Sequence, residues 1–183
     1  MPPARIVSIQ TTSERGGAEY ANVDLLAGLQ ARGHDVVLLT NLDDLVVGTS
    51  VPVRSLHLGP KLARRSVLKL ALLAPLVLWR LARTLRRARP AATISSFKKE
   101  QLLCSLLPRR LTGEVVWIEW GPVPAPLRKG LARALYALAA RRARRVLAVS
   151  DGTAQTVTDT GVPAEKVLTI PDLVNLHAVA FVP

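Results

Sequence analysis

Short apolar runs alternate with longer amphipathic stretches along the chain. Residues 5–9, RIVSI, form a run rich in β-branched side chains, which is typical of a buried strand. Val23, Leu26 and Leu29 then recur at three-residue steps, a spacing that places them on one face of a helix. The continuous apolar run at residues 34–40, HDVVLLT, predicts a second strand that is buried on both faces of a parallel sheet. The beginning of the chain therefore predicts a strand–helix–strand unit.

The same alternation continues to the end of the chain. Residues 51–58 are a weaker strand candidate, and a long helical region follows at 62–88. Further strands are predicted at ATISS, EVVWIEW, RVLAVS and KVLTIPD, with helices at 99–107 and 127–142 and a short polar helix before the last strand. This alternation predicts an α/β fold with a mostly parallel sheet, right-handed crossovers and helices on both faces. We find no internal repeat or linker, so we expect a single Rossmann-like domain over residues 1–183.

Two adjacent glycines, Gly16 and Gly17, lie between the first strand and the first helix. In open α/β sheets ligands bind beyond the carboxyl ends of the strands, so we expect a binding site at this loop. Glycine permits positive φ and the close approach of another molecule, and the first N–H groups of the helix attract an anion such as phosphate. Glu19 in the same turn favours a sugar hydroxyl or an amine as its partner. The alternative is that the glycines form a tight turn and that Glu19 complements the helix dipole.

The glycine loop differs from the fingerprint of dinucleotide-binding proteins. The motif G-x-G-x-x-G is absent from it. Asp43 and Asp44 stand where a ribose-binding acid would follow the second strand, but they have no phosphate loop to accompany them. We therefore expect no nicotinamide or flavin cofactor. His34, His57 and His177 are solitary, and no spacing of ligand residues predicts a metal site.

Polar side chains also follow two later strands of the predicted sheet. Lys98 and Lys99 begin a helix after the strand ATISS, where they either meet an acceptor phosphate or lie in solvent. Ser150 ends the strand RVLAVS, and we interpret it first as the N-cap of the next helix and second as a ligand contact. Cys104 is the one cysteine, so no internal disulfide forms, and we interpret it as a core residue.

Basic residues exceed acidic ones by 12, and the excess is concentrated in two stretches without any acid, residues 45–99 and 120–150. Such stretches attract nucleic acid, anionic lipid or phosphorylated ligands, and the alternative is a surface of solvated arginines. A nucleic-acid-binding protein would explain the charge. However, no recognised motif is present, and the Phe and Tyr residues that stack on bases are scarce.

The long helical region of the first basic stretch has an amphipathic pattern. Arg80, Arg83 and Arg87 share one face, and leucines share the opposite face. A basic amphipathic helix suits the surface of an anionic membrane, and the alternative is a core helix that is kinked at Pro75. The ten apolar residues at 70–79 are too few to span a bilayer, which needs about 20. The N-terminus has too few apolar residues for a signal peptide, so we expect a cytoplasmic protein.

Three segments carry a family resemblance through their order and spacing. They are GGAE after the first strand, RGHDVVLLT at the second strand, and VLAVSDGT…GVPAEKVLTIPDLVN near the end of the chain. With these segments the chain resembles, over nearly its whole length, the N-terminal domain of retaining GT-B glycosyltransferases of the large family 4 group. The resemblance implies that Gly16 and Gly17 lie against the diphosphate of a nucleotide-sugar donor and that Glu19 lies near the acceptor. It implies no cofactor besides this donor substrate.

The chain departs from the family pattern at two positions. The family usually carries His before the Gly-Pro of WIEWGPVP, where this chain has Trp120 beside Glu119. The family's Asn-Gly after Ile-Pro is Asp172-Leu173 here. In the family a C-terminal domain supplies the nucleotide-sugar pocket, and no segment of this sequence matches it. We therefore expect a fragment, one half of a split enzyme, or a degenerate homologue.

These features together predict the acceptor-side domain of a retaining glycosyltransferase. Its acceptor would be a lipid-linked or cell-envelope molecule at the cytoplasmic face of the membrane, and without its second domain we expect it to be inactive. Front-face attack assisted by the donor phosphate needs no dedicated base. Glu119 is the candidate catalytic acid, and Glu19, Lys98, Trp120 and Ser150 are candidate substrate contacts. The alternatives are a non-catalytic partner protein recruited to the membrane and the nucleic-acid-binding protein.

Overall fold

The computed structural model describes residues 2–11, 16–42, 49–58 and 67–171, and for residues 67–71 it describes the backbone alone. Several of the sequence features named above lie outside the described residues, namely Asp43, Asp44, the pair Asp172-Leu173, His177 and the first part, residues 62–66, of the predicted helical region. The predictions attached to them therefore stay predictions.

The described strands form one sheet in which every neighbouring pair is parallel. They are β1 Arg5–Gln10, β2 Asp35–Thr40, β3 Val53–Ser55, β4 Ala92–Ser95, β5 Glu114–Glu119, β6 Arg145–Ala148 and β7 Val167–Thr169. Their order in the sheet is β3-β2-β1-β4-β5-β6-β7, so the direction of winding reverses between β1 and β4. This is the arrangement of a Rossmann-like fold, and the predicted α/β class is confirmed.

Helices cover both faces of the sheet. They are α1 Gly17–Ala31, α2 Val67–Ala88, α3 Lys98–Leu106, α4 Arg109–Thr112, α5 Gly130–Ala140 and α6 Asp151–Thr158, with short 3-10 turns at Ala125–Arg128 and Ala164–Lys166. Helix α1 packs on one face, whereas α2, α3, α5 and α6 contribute to the core on the other face. Within the described parts of the chain, no helix is long and apolar enough to cross a membrane.

Two hydrophobic cores hold these layers together. On the α1 face, the predicted helix residues Val23 and Leu26 pack with strand residues such as Leu38. On the opposite face, a larger core includes Leu81 and Cys104. Burial raises the pKa of the Cys104 thiol to about 12, so the thiol stays protonated at neutral pH and serves as a small apolar group. The prediction that Cys104 is a core residue is confirmed.

Several predicted elements are shorter in the structure than in the sequence pattern, such as the strand predicted at KVLTIPD, which is reduced to β7. The strand expected at 51–58 is reduced to β3, an edge strand that pairs with β2 alone among the described strands. The helix expected at 127–142 begins with a 3-10 turn and breaks at Lys129, whose backbone is extended at φ −135°. Lys129 is followed by Gly130 with a positive φ of 55°, and both conformations lie outside the α-helical region, so the 3-10 turn and α5 do not join into one helix.

Gly113 connects α4 to β5 in a conformation that L side chains rarely adopt, with φ at 61°. A Cβ added there would lie 2.3 Å from the carbonyl oxygen of Ala91. We expect Gly113→Ala to lower the free energy of unfolding by about 2 to 3 kcal/mol, because backbone strain and a clash with main-chain atoms act together. Urea denaturation of the purified chain measures this change.

The matched control for Gly113 is Gly28 on the exposed side of α1. A Cβ at Gly28 meets no atom within 4 Å. Gly28→Ala is therefore expected to raise the free energy of unfolding by up to about 1 kcal/mol, because alanine has the higher helix propensity. Equal effects of the two substitutions would contradict the conformation described for Gly113.

Candidate functional site

The candidate site lies at the carboxyl ends of four neighbouring strands, β1, β4, β5 and β6. The strand order reverses between β1 and β4, so the connections that leave these two strands diverge to opposite faces of the sheet. Such a divergence opens a crevice at the edge of the sheet, and ligands of open α/β proteins bind there. Gly16 and Gly17 follow β1, and Lys98 follows β4. The topology thus brings the predicted glycine loop and the predicted lysine to the two sides of one crevice.

Gly16 is the N-cap of α1, and its backbone is extended at φ −148°. Gly17 is also absent from the residues with positive φ. Neither glycine therefore uses the positive φ that glycine permits, and their own backbone angles do not require glycine. A Cβ at Gly17 would meet no atom within 4 Å among the described residues. What glycine adds here is open space beside the first turn of α1.

The first turn of α1 offers hydrogen-bond donors to that space. The N–H groups of Glu19 and Tyr20 donate to the carbonyl oxygen of Gly16, at 3.2 and 3.3 Å. Helix geometry leaves the N–H groups before them without an acceptor inside the helix, and the helix dipole favours negative charge at this end. The arrangement can therefore bind an anionic group such as a phosphate.

Glu19 turns back toward the N-terminus of its own helix. Its side chain is buried, and its Oε2 would lie 3.1 Å from a Cβ at Gly16. The carboxylate therefore lies beside the glycine pair, where it complements the helix dipole and can accept a hydrogen bond from a hydroxyl group. Its predicted contact with substrate stays a prediction.

A hydrogen-bonded bridge crosses the point where the strand order reverses. The Glu100 Oε1 accepts the N–H of Thr11 at 3.1 Å and also accepts the Thr11 hydroxyl. Glu100 is fully buried in α3, and burial raises the pKa of its carboxyl group. The bridge ties the end of β1 to α3 and so fixes the start of the segment that leads to Gly16. The sequence analysis missed it, because the two residues are 89 positions apart.

Glu119 at the end of β5 is held by two partners. Its Oε1 accepts the hydroxyl proton of Tyr136 at 2.8 Å, and its Oε2 accepts from the Lys98 ammonium group. The Lys98 Nζ also lies 5.2 Å from the centre of the Tyr136 ring. Burial lowers the pKa of Lys98, and the nearby Glu119 carboxylate opposes that shift. Glu119 is only 3% exposed, and in this geometry its carboxylate is the counter-charge of the Lys98 ammonium group. Its predicted role as a catalytic acid stays a prediction.

Trp120 lies next to a cavity of about 260 Å³ between α1 and the ends of β5, β6 and β7. Leu25, Leu147 and Ile170 contribute apolar walls to this cavity, and Asp24 is at its border. The Trp120 Nε1 atom is buried and has no hydrogen-bond partner among the described residues. Trp120, which stands where the family usually carries histidine, therefore places a large apolar group at this edge of the sheet. Its substrate contact stays a prediction.

The remaining predicted residues fall into two places. Ser150 caps α6, because its Oγ accepts the N–H of Thr153 at 3.2 Å, and this confirms its interpretation as an N-cap. Its alternative role as a ligand contact stays a prediction. Arg80, Arg83 and Arg87 lie on the exposed side of α2, outside the crevice.

Tyr136, like the Thr11–Glu100 bridge, was missed by the sequence analysis, because a single tyrosine in an amphipathic helix gives no functional signal.

The comparisons with known proteins bear on the family and the fold of the chain. The family of the glycosyl transferase 4-like domain matches residues 16–172. No curated protein sequence matches the chain. Several solved structures share its fold. HepE from Anabaena, in complex with UDP and glucose, has a TM-score of 0.73 and 15% identity over 95% of this chain and 46% of HepE.

Two further structures widen the comparison. The lipopolysaccharide outer core galactosyltransferase WaaB in its apo form has a TM-score of 0.64 and 15% identity over 93% of this chain and 46% of WaaB. UDP-GlcNAc 2-epimerase from Methanocaldococcus jannaschii has a TM-score of 0.61 and 14% identity over 91% of this chain and 45% of the epimerase. At these identities the likeness shows the fold, and the chain spans less than half the length of each structure.

The family match and the fold lead to one assignment. The match extends over most of the chain and includes the glycine pair, α1 and the capped helix α6. The solved structures confirm the predicted GT-B type of Rossmann-like domain. The chain belongs to the family of glycosyl transferase 4-like domains.

Proposed function

We propose that this domain is the acceptor-side part of a retaining glycosyltransferase in the cytoplasm. It acts on a lipid-linked or cell-envelope acceptor at the inner face of the membrane. The observation that carries the proposal is the position of Gly16 and Gly17, which stand at the reversal of strand order in a domain of this family. The complex of HepE with UDP and glucose supports a nucleotide sugar as the donor. Neither the nucleic-acid-binding alternative nor the non-catalytic alternative is favoured by the comparisons.

The donor diphosphate binds at the first turn of α1. Its oxygens accept hydrogen bonds from the free N–H groups of this turn, and the missing side chain of Gly17 lets the phosphate approach the backbone. Glu19 lies beside the same turn and accepts a hydrogen bond from an acceptor hydroxyl group. Lys98 on the other side of the crevice attracts a phosphate of the acceptor or of the donor.

A second domain supplies the other donor contacts. The chain matches 46% of HepE, which supports a division of the full enzyme into two halves. A few N–H groups and one carboxylate cannot offset the roughly 4 to 15 kcal/mol that association costs in translational and rotational freedom. The base and ribose of the donor therefore bind mainly to the second domain, and this chain without it transfers no sugar.

The reaction retains the configuration of the sugar and needs no metal or other cofactor. The acceptor oxygen forms a bond to the anomeric carbon on the same face from which the phosphate leaves. The carbon–oxygen bond to the diphosphate breaks, and the leaving diphosphate takes the proton of the acceptor hydroxyl. The role of this chain is to orient the acceptor hydroxyl and the donor diphosphate, because the phosphate itself acts as the base. Electrostatic support from the N–H groups of α1 stabilises the charge that develops on the leaving group.

A transfer assay tests this function. The chain is combined with its donor-binding domain and incubated with labelled UDP-sugars and GDP-sugars and a membrane lipid extract. We expect label in the organic phase and a product with the anomeric configuration of the donor. A product with the inverted configuration would contradict the retaining mechanism, and label in water-soluble products alone would contradict a lipid-linked acceptor.

The exposed side of α2 supports a position on the membrane. Leu81 and Leu85 are buried in the core, as the alternative of a core helix expected for the leucine face. Large apolar side chains, by contrast, are exposed on the other side of the same helix, and they are Leu72, Leu73, Leu76 and Trp79. The Arg83 guanidinium lies 5.6 Å from the centre of the Trp79 ring. Apolar groups flanked by arginines suit the boundary between anionic headgroups and acyl chains.

We expect replacement of Arg80, Arg83 and Arg87 by Gln to weaken binding to vesicles that contain phosphatidylglycerol. Each arginine near such a surface contributes about 1 kcal/mol, so the loss is roughly a hundredfold at low salt. Co-sedimentation measures it. The control, Arg32→Gln with Arg54→Gln, removes charge from the end of α1 and from β3, and is expected to change binding less than threefold. Unchanged binding of the α2 variant would remove this helix from the membrane contact.

A further inference from the structure

A cavity of about 430 Å³ opens at the edge of the sheet opposite to the candidate site. It lies at the amino ends of β5 and β6, between the end of α3 and the turns that follow α4 and α5. Strand β5 is 6 residues long, and a strand rises about 3.3 Å per residue, so the two edges are roughly 20 Å apart. The cavity is therefore separate from the proposed glycosyl-transfer site.

Positive charge dominates the lining of this cavity. Six basic residues line it, and they are Arg109, Arg141, Arg142, Arg144, Arg145 and Lys166. The two acidic residues of the lining are Glu114 and Glu165, so the formal balance is 6 − 2 = +4. Within the described residues, one ion pair joins these groups, between Arg109 and Glu114. Most of the positive charge of the lining is therefore not neutralised by a neighbouring described carboxylate.

Hydrogen bonds to backbone carbonyls fix three of these cations in place. Arg142 Nη2 donates to the Leu107 oxygen at 3.3 Å, Arg145 Nη1 donates to the Glu165 backbone oxygen at 3.0 Å, and Lys166 Nζ donates to the Ala143 oxygen at 3.0 Å. A carbonyl group is uncharged, so each bond orders its side chain without cancelling the charge. The remaining N–H groups of the same side chains stay available to a ligand.

We infer that this cavity, the amino-end basic cavity, binds an anion that carries a diphosphate group. Guanidinium groups match phosphate oxygens in pairs, and a concave surface with charges of one sign concentrates the field on an anion. The volume is within the range of small-ligand sites. A single-stranded nucleic acid is a poorer fit, because the described lining has no aromatic side chain on which a base could stack. The diphosphate belongs either to a soluble molecule or to a lipid headgroup.

Calorimetric titration of the full chain with inorganic pyrophosphate tests the inference. We expect saturable binding that weakens as salt is added, and weaker binding of inorganic phosphate. The double variant Arg141→Gln and Arg144→Gln, in which neither replaced side chain makes a hydrogen bond within the described residues, is expected to bind about tenfold more weakly. Glu114→Gln removes the ion-pair partner of Arg109 and is expected to bind several-fold more tightly.

Control variants and vesicles distinguish the possible results. Arg32→Gln with Arg54→Gln removes the same charge outside the cavity and is expected to change pyrophosphate binding less than twofold. Vesicles that contain a lipid diphosphate in phosphatidylcholine form the second arm. Sensitivity of both pyrophosphate binding and vesicle binding to the cavity variants would assign a lipid headgroup, and sensitivity of pyrophosphate binding alone would assign a soluble ligand. If neither arm responds to the cavity variants more than to the control, the inference is overturned. Circular dichroism melting of each variant verifies folding.

Discussion

Valine in place of Gly17, in the chain assembled with its donor-binding domain, is expected to lower the rate of sugar transfer about a hundredfold. A Cβ at this position meets no atom of the described chain within 4 Å, so the fold itself has room for a side chain. In the proposed complex that space holds the donor diphosphate. The methyl groups of valine would push the phosphate away from the first turn of α1, and a displacement of about 1 Å is enough for such a loss.

A measurement of stability separates the loss of sugar transfer in Gly17→Val from a folding defect. Gly17→Val is expected to change the free energy of unfolding by less than about 1 kcal/mol, because Gly17 does not use positive φ. The matched control is Gly28→Val in the same helix, which is also free of contacts within 4 Å and should leave transfer unchanged. Full turnover by Gly17→Val would remove the glycine pair from the donor site.

Replacement of Glu119 by Gln is expected to lower the free energy of unfolding by about 3 kcal/mol. Glutamine keeps the size of the side chain and can still accept the Tyr136 hydroxyl, but it removes the negative charge beside Lys98. The Lys98 side chain is only 19% exposed, so its ammonium group would remain poorly solvated and without a counter-charge. Urea denaturation at neutral pH measures the loss.

A double variant tests the physical reason for that loss. Methionine at position 98 needs no counter-charge, so Lys98→Met combined with Glu119→Gln is expected to recover at least half of the stability that Glu119→Gln loses. The energies of the two single variants and the double variant give the coupling between the side chains. Unchanged stability of Glu119→Gln, together with a large loss of transfer, would instead support the catalytic role predicted for Glu119.

Local patterns were sufficient to predict most of the fold. Burial against the sheet explains both the unbroken apolar run of β2 and the spacing of Val23 and Leu26. Buried positions carry apolar side chains, so burial is visible in the sequence as an apolar pattern. Element lengths were less predictable. Whether residues near 51–58 form a ladder depends on a neighbouring strand, and only β2 pairs with them among the described strands. The break at Lys129 depends on the backbone conformations of Lys129 and Gly130 inside an otherwise helical pattern.

The candidate site was predicted in its location but not in its contacts. The glycine pair follows a strand, and the rule for parallel sheets then places it at the carboxyl edge. The bridge from Thr11 to Glu100 and the contacts of Glu119 with Lys98 and Tyr136 join residues far apart in the chain. Such pairings depend on how α3 and α5 pack beside β5, and no local pattern encodes that packing.

Titration of the 183-residue chain with nucleotide sugars tests the proposed division between two domains most directly. UDP-glucose and GDP-mannose are added to the chain alone and to its mixture with a separately produced donor-binding domain. The chain carries Arg141→Gln and Arg144→Gln in both titrations, so that the diphosphates of these ligands gain little from the amino-end basic cavity. The account predicts no saturable heat from the chain alone at micromolar concentrations, because its affinity is millimolar or weaker, and predicts saturable binding with sugar transfer in the mixture. Micromolar binding of a nucleotide sugar by the chain alone would contradict the account.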